Sequence, residues 1–190
     1  MIPYKDYSAK KLSSKPELPS AGCYEAVIRG ARVEDTPWGG QRLVIAMDIT
    51  AGEYAGRYQQ IFDYDSNNGN FTPKFKGVLR LNVPSGDGSE KDAWTKKLFE
   101  GAIWCIEKSN PGYTFDFDEN KLKGKAVGIN VRNKEWSYND MKGWTTEIGR
   151  LEVLDDVKAG KCKVMKDRPL QKTEDVPEGF TPVETDNLPF

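Results

Sequence analysis

The chain has 190 residues, with 28 Lys and Arg against 29 Asp and Glu, three Cys and no His. A chain of this length predicts one domain with tails. Without His, the commonest general base and metal ligand are missing, so we expect a protein that is not an enzyme and that holds no cofactor or metal. No apolar run approaches the length of a membrane span and the start has no secretion signal, so we expect a cytoplasmic protein whose three cysteines are reduced thiols.

The charges are distributed unevenly along the chain. Five of the 29 carboxylates follow Lys172, where Lys and Arg are absent, so the residues up to Lys172 carry 28 positive against 24 negative charges. The body is therefore about +4 and the tail −5. We expect an N-terminal arm over 1–20, a folded domain over 21–156, a basic linker over 157–172 and a disordered acidic tail over 173–190.

Three strands are predicted in the first part of the domain. Apolar and polar residues alternate from Cys23 to Val33, and again from Gln41 to Thr50, where the pattern is clearest. A third run, from Arg57 to Tyr64, places aromatic residues on one face. Because successive side chains of a strand point to opposite faces, each run indicates a strand with one face covered. The chain between this third run and Gly88 is predicted to be irregular, since Pro and Gly interrupt it.

One helix follows. Ser89 is placed to cap it, with Asp92 three residues later. Apolar residues then recur at helical spacing and are expected to lie on the sheet, and Trp104 is expected in the core with them. This predicted stripe consists of Trp94, Leu98, Ala102, Ile103 and Ile106.

Two more strands are predicted, from Gly124 to Arg132 and from Trp144 to Val153, joined by a connection rich in aromatic residues. Three strands, a helix and two strands is the order of the OB-fold, whose strand 2 and 3 face binds oligonucleotides. We therefore expect a mainly β protein, a five-stranded OB-fold Greek-key barrel with one helix between strands 3 and 4 and with flexible termini.

The end of the chain resembles the tip of bacterial single-stranded DNA-binding proteins, in which an acidic tail ends in an apolar residue, proline and phenylalanine. In that family the tip docks replication and repair proteins, so the resemblance implies the same role here. Asn187 stands where the family usually has an acid, which implies weaker docking or a different partner. The implied partner-binding residues are Asp186, Leu188, Pro189 and Phe190.

A second resemblance covers residues 22–155. The alternating strand from Leu43 to Ile49, Gly56-Arg57, Ser109-Asn110 at the end of the helix and the approach to strand 4 at 122–125 are similar to phage-encoded proteins from replication and recombination gene modules. Some of those proteins bind single-stranded DNA. The resemblance implies a phage protein that acts in the bacterial host cell.

Single-strand binding requires cations beside the phosphates and exposed aromatic rings on which bases stack. The candidate residues are Arg32, Trp38, Arg42, Arg57, Tyr58, Tyr64, Arg132, Lys134, Trp136, Tyr138 and Trp144. Each aromatic candidate also has a structural interpretation. Trp38 caps the end of the barrel, Tyr58 and Tyr64 of strand 3 belong to the core, and Trp136, Tyr138 and Trp144 pack against one another to stabilise their hairpin. A basic run over 161–168 either extends the DNA path or is simply solvated.

The sequence thus predicts binding of single-stranded DNA without sequence preference in phage replication or recombination, with the tail recruiting partner proteins. A body of about +4 binds DNA modestly by charge alone, which favours a homo-oligomer. The alternative is a protein-interaction or structural module that binds no nucleic acid. Salt dependence separates the two, because phosphate contacts release counterions.

Overall fold

Strands dominate the order of elements. The computed structural model describes residues 14–37, 39–68, 71–139 and 141–170. The strands are β1 (Gly22–Thr36), β2 (Gly40–Ile49), β3 (Val78–Asn82), β4 (Ala126–Tyr138) and β5 (Met141–Glu152). The α-helices are α1 (Arg57–Asn67), α2 (Glu90–Ser109) and α3 (Leu154–Lys158), and a 3₁₀ turn spans Glu119–Leu122. Within these ranges, no helix is long and apolar enough to cross a membrane.

All five strands form one antiparallel sheet with the order β3-β2-β1-β4-β5. β1 is the central strand, pairing with β2 on one side and, through residues Gly22 to Val27, with β4 on the other. The edge strands β3 and β5 approach each other without pairing, so the sheet curls around its core and stays open between them. The expectation of a mainly β protein with five strands is confirmed.

The predicted faces of β1 and β2 are also confirmed. Ala26 and Ile28 of β1 are 1% exposed. The inward row of β2 is buried with them and consists of Leu43, Ile45, Met47 and Ile49. Burying each large apolar side chain contributes about 1.5–3 kcal/mol. A slip of one residue would turn the whole row to solvent, so this core fixes the register of the sheet.

The predicted third strand is wrong, because Arg57–Tyr64 lies within α1. Tyr58 and Ile61 are both buried at helical spacing. The helix begins here because the buried Asp48 of β2 caps it from across the fold. Its carboxylate accepts hydrogen bonds from the backbone N–H groups of Tyr58 and Gln59 at 3.1 and 3.2 Å.

The third strand is instead β3, inside the stretch predicted to be irregular. It pairs with β2 and buries Leu79. Gly77 precedes it at a point where a Cβ atom would overlap the backbone oxygen of Met47 and lie 2.6 Å from the Tyr58 ring. Only glycine therefore lets β3 approach β2 and α1 this closely.

Helix α2 has the predicted cap, since the Ser89 hydroxyl accepts a hydrogen bond from the N–H of Asp92 at 3.1 Å. The predicted apolar stripe is only partly right. Trp94, Leu98 and Trp104 are 59%, 53% and 51% exposed. The side chains that reach the core are Phe99, Ala102, Ile103 and Ile106. The expected stripe mixed two faces of the helix, and the structure turns the first two of its members and Trp104 outward.

β4 runs straight through the predicted aromatic connection. Its pairing with β5 extends from Gly128 opposite Glu152 to Tyr138 opposite Met141. Asn139 follows with a φ of 45°, which carries the chain into the turn. The aromatic residues expected in a loop therefore lie on a regular two-stranded hairpin, and the strand pairing decides which face each of them occupies.

The expectation of three reduced thiols is wrong for two of them. Cys23, near the start of β1, forms a disulfide with Cys162, which follows α3. The two residues are 139 positions apart, so their spacing gave no sign of the bond. Cys105 on α2 is free, and burial raises the pKa of its thiol to about 11.

Candidate nucleic-acid interface

Cations and aromatic rings share one face of the β4–β5 hairpin. Arg132, Lys134, Trp136 and Tyr138 alternate along β4 and point to the same side. Their neighbour Val131 is fully buried, so this side is the outer one. Alternate residues of a strand lie about 6.6 Å apart. The row therefore presents two cations and then two aromatic rings in line, and we call it the hairpin row.

Trp136 is supported from below by Gly143 of β5, its cross-strand partner. Three indole atoms lie 3.0–3.1 Å from the position a Cβ atom would take on Gly143. The ring thus covers the glycine, while Trp136 as a whole stays 38% exposed and Tyr138 is 68% exposed. One face of the indole rests on β5, and the residue keeps exposed surface on which a base can stack.

Trp144 does not belong to the hairpin row. It pairs with Glu135, which lies between Lys134 and Trp136 on β4 and points to the opposite side. Trp144 is 55% exposed on that side. The sequence placed the three aromatic residues in one cluster, whereas the register of the hairpin separates Trp144 from the other two.

Residues 159–170, which we call the C-terminal arm, cross the outer side of β4 at Asn130 and then run along the edge of β4 that β1 leaves free. The fully buried Asn130 holds the arm by donating a hydrogen bond to the backbone oxygen of Lys163 at 2.9 Å. Farther on, Arg168 forms an isolated parallel β-bridge opposite Lys134 of β4. Arg168 donates its N–H to the oxygen of Asn133 at 2.8 Å and accepts from the N–H of Glu135 at 2.9 Å. The disulfide anchors the start of the arm.

Glu147 of β5 gathers cations from both sides. Its carboxylate accepts hydrogen bonds from Arg132 at 2.8 and 3.0 Å and from Arg168 of the arm at 3.3 Å, and Lys134 lies 3.2 Å away. Burial by itself would raise the pKa of Glu147, but the hydrogen bonds from these three cations outweigh it and lower the pKa. One carboxylate thus holds three cations in place and neutralises only one charge.

The arm and the hairpin together border an open cleft of about 760 Å³. Two carboxylates, Glu135 and Asp167, are among the residues that line it. Six cations line it as well: Arg132, Lys134, Arg150, Lys163, Lys166 and Arg168. The basic run of the sequence therefore lies beside the hairpin row, and the combined surface favours a polyanion.

Arg32 and Arg42 lie on the outer side of the β1–β2 pair and do not line this cleft. Both contact Glu34, Arg42 through two hydrogen bonds of 2.9 and 2.5 Å and Arg32 at 3.3 Å. The Arg42 hydrogen bond lowers the pKa of Glu34. Arg32 keeps a side chain that is 66% exposed and borders a separate shallow cleft with Arg29 and Phe75.

The three candidates from the wrongly predicted strand lie on α1. Arg57 donates to the backbone oxygens of Glu17 and Glu53 at 3.2 and 3.3 Å, so its guanidinium is engaged within the fold. Tyr58 is 2% exposed, and burial raises the pKa of its hydroxyl. It belongs to the core and offers no face to a base. Tyr64 is partly exposed near the end of the helix.

Some candidates fall outside the described residues, namely Trp38 and the four tip residues Asp186, Leu188, Pro189 and Phe190. Other residues that shape the hairpin row and the arm could not be identified from the sequence. Gly143 and Glu147 act through cross-strand partners that the register of the hairpin brings together, and Asn130 acts through Lys163 of the arm, 33 positions away. The one available signal was Gly143 itself, which the sequence predicts to belong to the turn at 139–143 between strands 4 and 5.

Comparisons with known proteins add little to this geometry. No family model and no curated protein matches the chain. Among solved structures, the chain is similar to one described as "Yeast RPA bound to ssDNA", with 13% identity, coverage of 82% of this chain and 97% of that chain, and a TM-score of 0.26.

Proposed function

We propose that this chain is a single-stranded DNA-binding protein without catalytic activity, which acts in phage DNA replication or recombination in the cytoplasm of the bacterial host. The observation that carries the proposal is the hairpin row with the cations of the C-terminal arm beside it. Cations in line with exposed aromatic rings are what a single strand requires, since its phosphates need positive charge and its unpaired bases need flat surfaces.

The strand order supports an OB-type barrel as the scaffold. An OB-fold is a partly open, five-stranded Greek-key barrel that binds oligonucleotides on strands 2 and 3 and on the loops between strands 1 and 2 and strands 4 and 5. The order β3-β2-β1-β4-β5, with α2 between β3 and β4, is compatible with that topology. In it, the β4–β5 hairpin takes the place of one ligand-binding loop.

The chemistry of the surface favours binding without sequence preference. The hairpin row offers charge to phosphates, which every nucleotide carries, and ring faces to bases, each of which has a π-face. In a duplex the bases are stacked on one another inside the double helix, so they are not available to stack on the rings of Trp136 and Tyr138. Single strands should therefore be preferred over duplex.

The proposal extends to the end of the chain through the resemblance to bacterial single-stranded DNA-binding proteins. Phe190 would fill an apolar pocket of a replication or recombination protein, while Asp186 and the terminal carboxylate meet its basic residues. Leu188 and Pro189 complete the segment. DNA binding and partner recruitment would then use separate parts of the chain.

The experiment that tests the DNA-binding proposal is a titration of a labelled oligo-dT, followed by fluorescence anisotropy at two salt concentrations with duplex as competitor. We expect saturable binding that weakens with salt and resists duplex. Trp136→Ala should weaken it about 5- to 150-fold, the effect of losing one stacked base. Trp144→Ala is the matched control, because it removes the same exposed ring from the opposite face.

Two results would contradict the proposal. If neither the full chain nor a chain ending at Lys172 binds at low salt, the protein-interaction module becomes the better interpretation. If the two tryptophan variants lose affinity equally, the protein binds DNA through a surface other than the hairpin row.

A further inference from the structure

Helix α2 exposes large apolar side chains that lie outside the core of the domain. Trp94, Leu98 and Trp104 are all more than half exposed, while the opposite side of the helix reaches the core through Phe99 and Ile106. Exposed aromatic and aliphatic residues gathered on one helix face are typical of protein contacts. The helix is thus apolar on both sides, although only one side is covered within the domain.

Gly101 lies in the middle of this exposed face. A glycine in a helix interior costs stability relative to alanine. Nothing lies within 4 Å of the position its Cβ atom would take, so no close approach in the domain requires the missing side chain. Its backbone is ordinary helix, so conformation does not require glycine either. The remaining use for a bare backbone at this point is the close approach of a group that lies beyond the described residues.

The residues around Gly101 are arranged symmetrically. Leu98 precedes it by three positions and Trp104 follows by three, while Trp94 precedes it by seven and Lys108 follows by seven. When two copies of a helix pack antiparallel and cross at one residue, positions equally far before and after it lie at the same height. Trp94 of one copy then faces Lys108 of the other, and this happens twice. Lys108 lies 6.0 Å from the centroid of the Trp104 ring in its own chain, and in the crossing it can form a cation–π pair with Trp94 of the second copy instead.

The apolar residues fit the same arrangement. Leu98 and Trp104 flank Gly101 on its two sides, since residues three positions before and after it lie about 60° round the helix in opposite directions. In an antiparallel crossing they close over the two bare backbones from both sides. Small residues at a crossing point allow helices to approach closely, as ridges pack into grooves.

We propose that α2 is a homodimer interface, in which two copies of this chain cross antiparallel at Gly101. A second copy is the occupant because the face is complementary to itself. Trp94 of each copy faces Lys108 of the other, and the bare backbone at Gly101 of one copy lies against the bare backbone at Gly101 of the other. This inference does not rest on the proposed function. The face belongs to α2, whereas the hairpin row lies on β4.

The test is the mass of the full chain in solution, measured by sedimentation equilibrium over a wide range of concentration. We expect twice the chain mass of 21.4 kDa. Gly101→Leu should weaken dimerisation by about 100-fold or more, because it fills the crossing point. It should not unfold the domain, because the site is open space. Lys91→Leu is the matched control, exposed on the same helix about 80° round from Gly101.

A second variant separates an interface from a merely structural role. Gly101→Ala should raise the melting temperature of the monomer, because alanine is the better helix former, and should still weaken the dimer. Trp104→Glu provides an independent test of the same face. The inference is overturned if the protein is monomeric at every concentration, or if Gly101→Leu and Trp104→Glu are folded and remain as dimeric as Lys91→Leu.

Discussion

Glu147 limits how much positive charge the hairpin surface can offer to DNA. It contacts Arg132, Lys134 and Arg168 at once, and each of these cations would otherwise be free for a phosphate. Glu147→Gln should therefore tighten binding of oligo-dT several-fold at low salt. Each cation that gains a phosphate contact should steepen the salt dependence by about 0.7 in logarithmic slope. Anisotropy titrations at several salt concentrations measure both.

Glu100→Gln is the control for this prediction, since it changes the net charge equally on the exposed side of α2, away from the cleft. A fall in affinity for Glu147→Gln would mean that the carboxylate is needed to hold the arm in place. In that case its positioning of Arg168 outweighs the charge that it neutralises.

The same residue makes stability depend on pH. Folding lowers the pKa of Glu147 below its ordinary value of 4.5, so its ion pairs contribute stability above that value and lose it as the pH falls through the folded pKa. Part of the acid destabilisation of the protein should therefore be absent from Glu147→Gln, as thermal melts at a series of pH values would measure. The residue is partly exposed, so solvent screening keeps this contribution modest.

The identity of the hairpin row could be predicted from the sequence, but its arrangement could not. Arg132, Lys134, Trp136 and Tyr138 alternate in the sequence, and any strand places them on one face. The face on which Trp144 lies could be assigned only from the register of the hairpin, because a shift of one residue exchanges the two faces. Glu147 required it as well, since nothing local links it to the cations of the arm.

Helix α1 shows how a buried charge can decide the structure of a whole element. Asp48 lies on β2, is 3% exposed, and accepts three backbone hydrogen bonds, two of them from the start of α1. Asp48→Asn places an amide group against one of these N–H donors and removes the charge that favours a helix N-terminus. We expect a loss of about 1–3 kcal/mol in the free energy of unfolding, measured by chemical denaturation.

Glu53→Gln serves as the control for Asp48→Asn, because Glu53 is exposed in the turn before the same helix. Equal stability of the two variants would show that the cap is not what holds α1. The cap also explains why the sequence predicted a strand where the structure has helix α1. Tyr58, Phe62 and Tyr64 alternate as in a strand. The residue that favours a helix here is Asp48, which lies on β2 and is not adjacent to α1 in the sequence.

The C-terminal arm is an element with almost no secondary structure of its own, held by a disulfide, a buried asparagine and two backbone hydrogen bonds. Replacing both Cys23 and Cys162 by Ser should cost about 2–5 kcal/mol of stability. It should also weaken DNA binding, because Lys163, Lys166 and Arg168 lose their fixed place beside the hairpin row. Thermal melts and anisotropy titrations measure the two effects.

Cys105→Ser is the control, since Cys105 is free and serine keeps a donor for the backbone oxygen of Leu151. If the double variant keeps both its melting temperature and its affinity, the hydrogen bonds of Asn130 hold the arm without help. Only the basic composition of the arm was visible in the sequence, because its attachment to β4 depends on contacts more than 30 residues apart.

At the scale of the whole molecule, the strands at the centre of the sheet could be predicted from the sequence better than the helices and the edge strand around them. β1 and β2 followed from simple alternation, because one face of each strand is buried in a single core. β3 was missed because a strand of five residues, in the stretch between Gly77 and Pro84, carries too little pattern. The outward face of α2 was missed because its tryptophans look like core residues, and a face that meets a second copy has the composition of a core.

The charge balance of the whole chain leads to the last prediction. Residues 173–190 carry five carboxylates and no Lys or Arg, against about +4 on the rest of the chain. At low salt, where the Debye length reaches about 30 Å, this acidic segment should compete with DNA for the cations of the hairpin surface. Deleting Thr173 to Phe190 should then tighten binding of oligo-dT several-fold at low salt and have little effect at high salt.

A full-length variant whose five tail carboxylates are replaced by amides separates charge from length. If the competition is electrostatic, this variant should bind as tightly as the shortened chain, because phosphates and tail carboxylates are attracted by the same cations. If deletion changes nothing at low salt, the tail does not reach the hairpin surface. If deletion tightens binding and the variant with five amides does not, the tail obstructs DNA by its bulk. The uneven distribution of charge along the chain then does not act through competition with DNA.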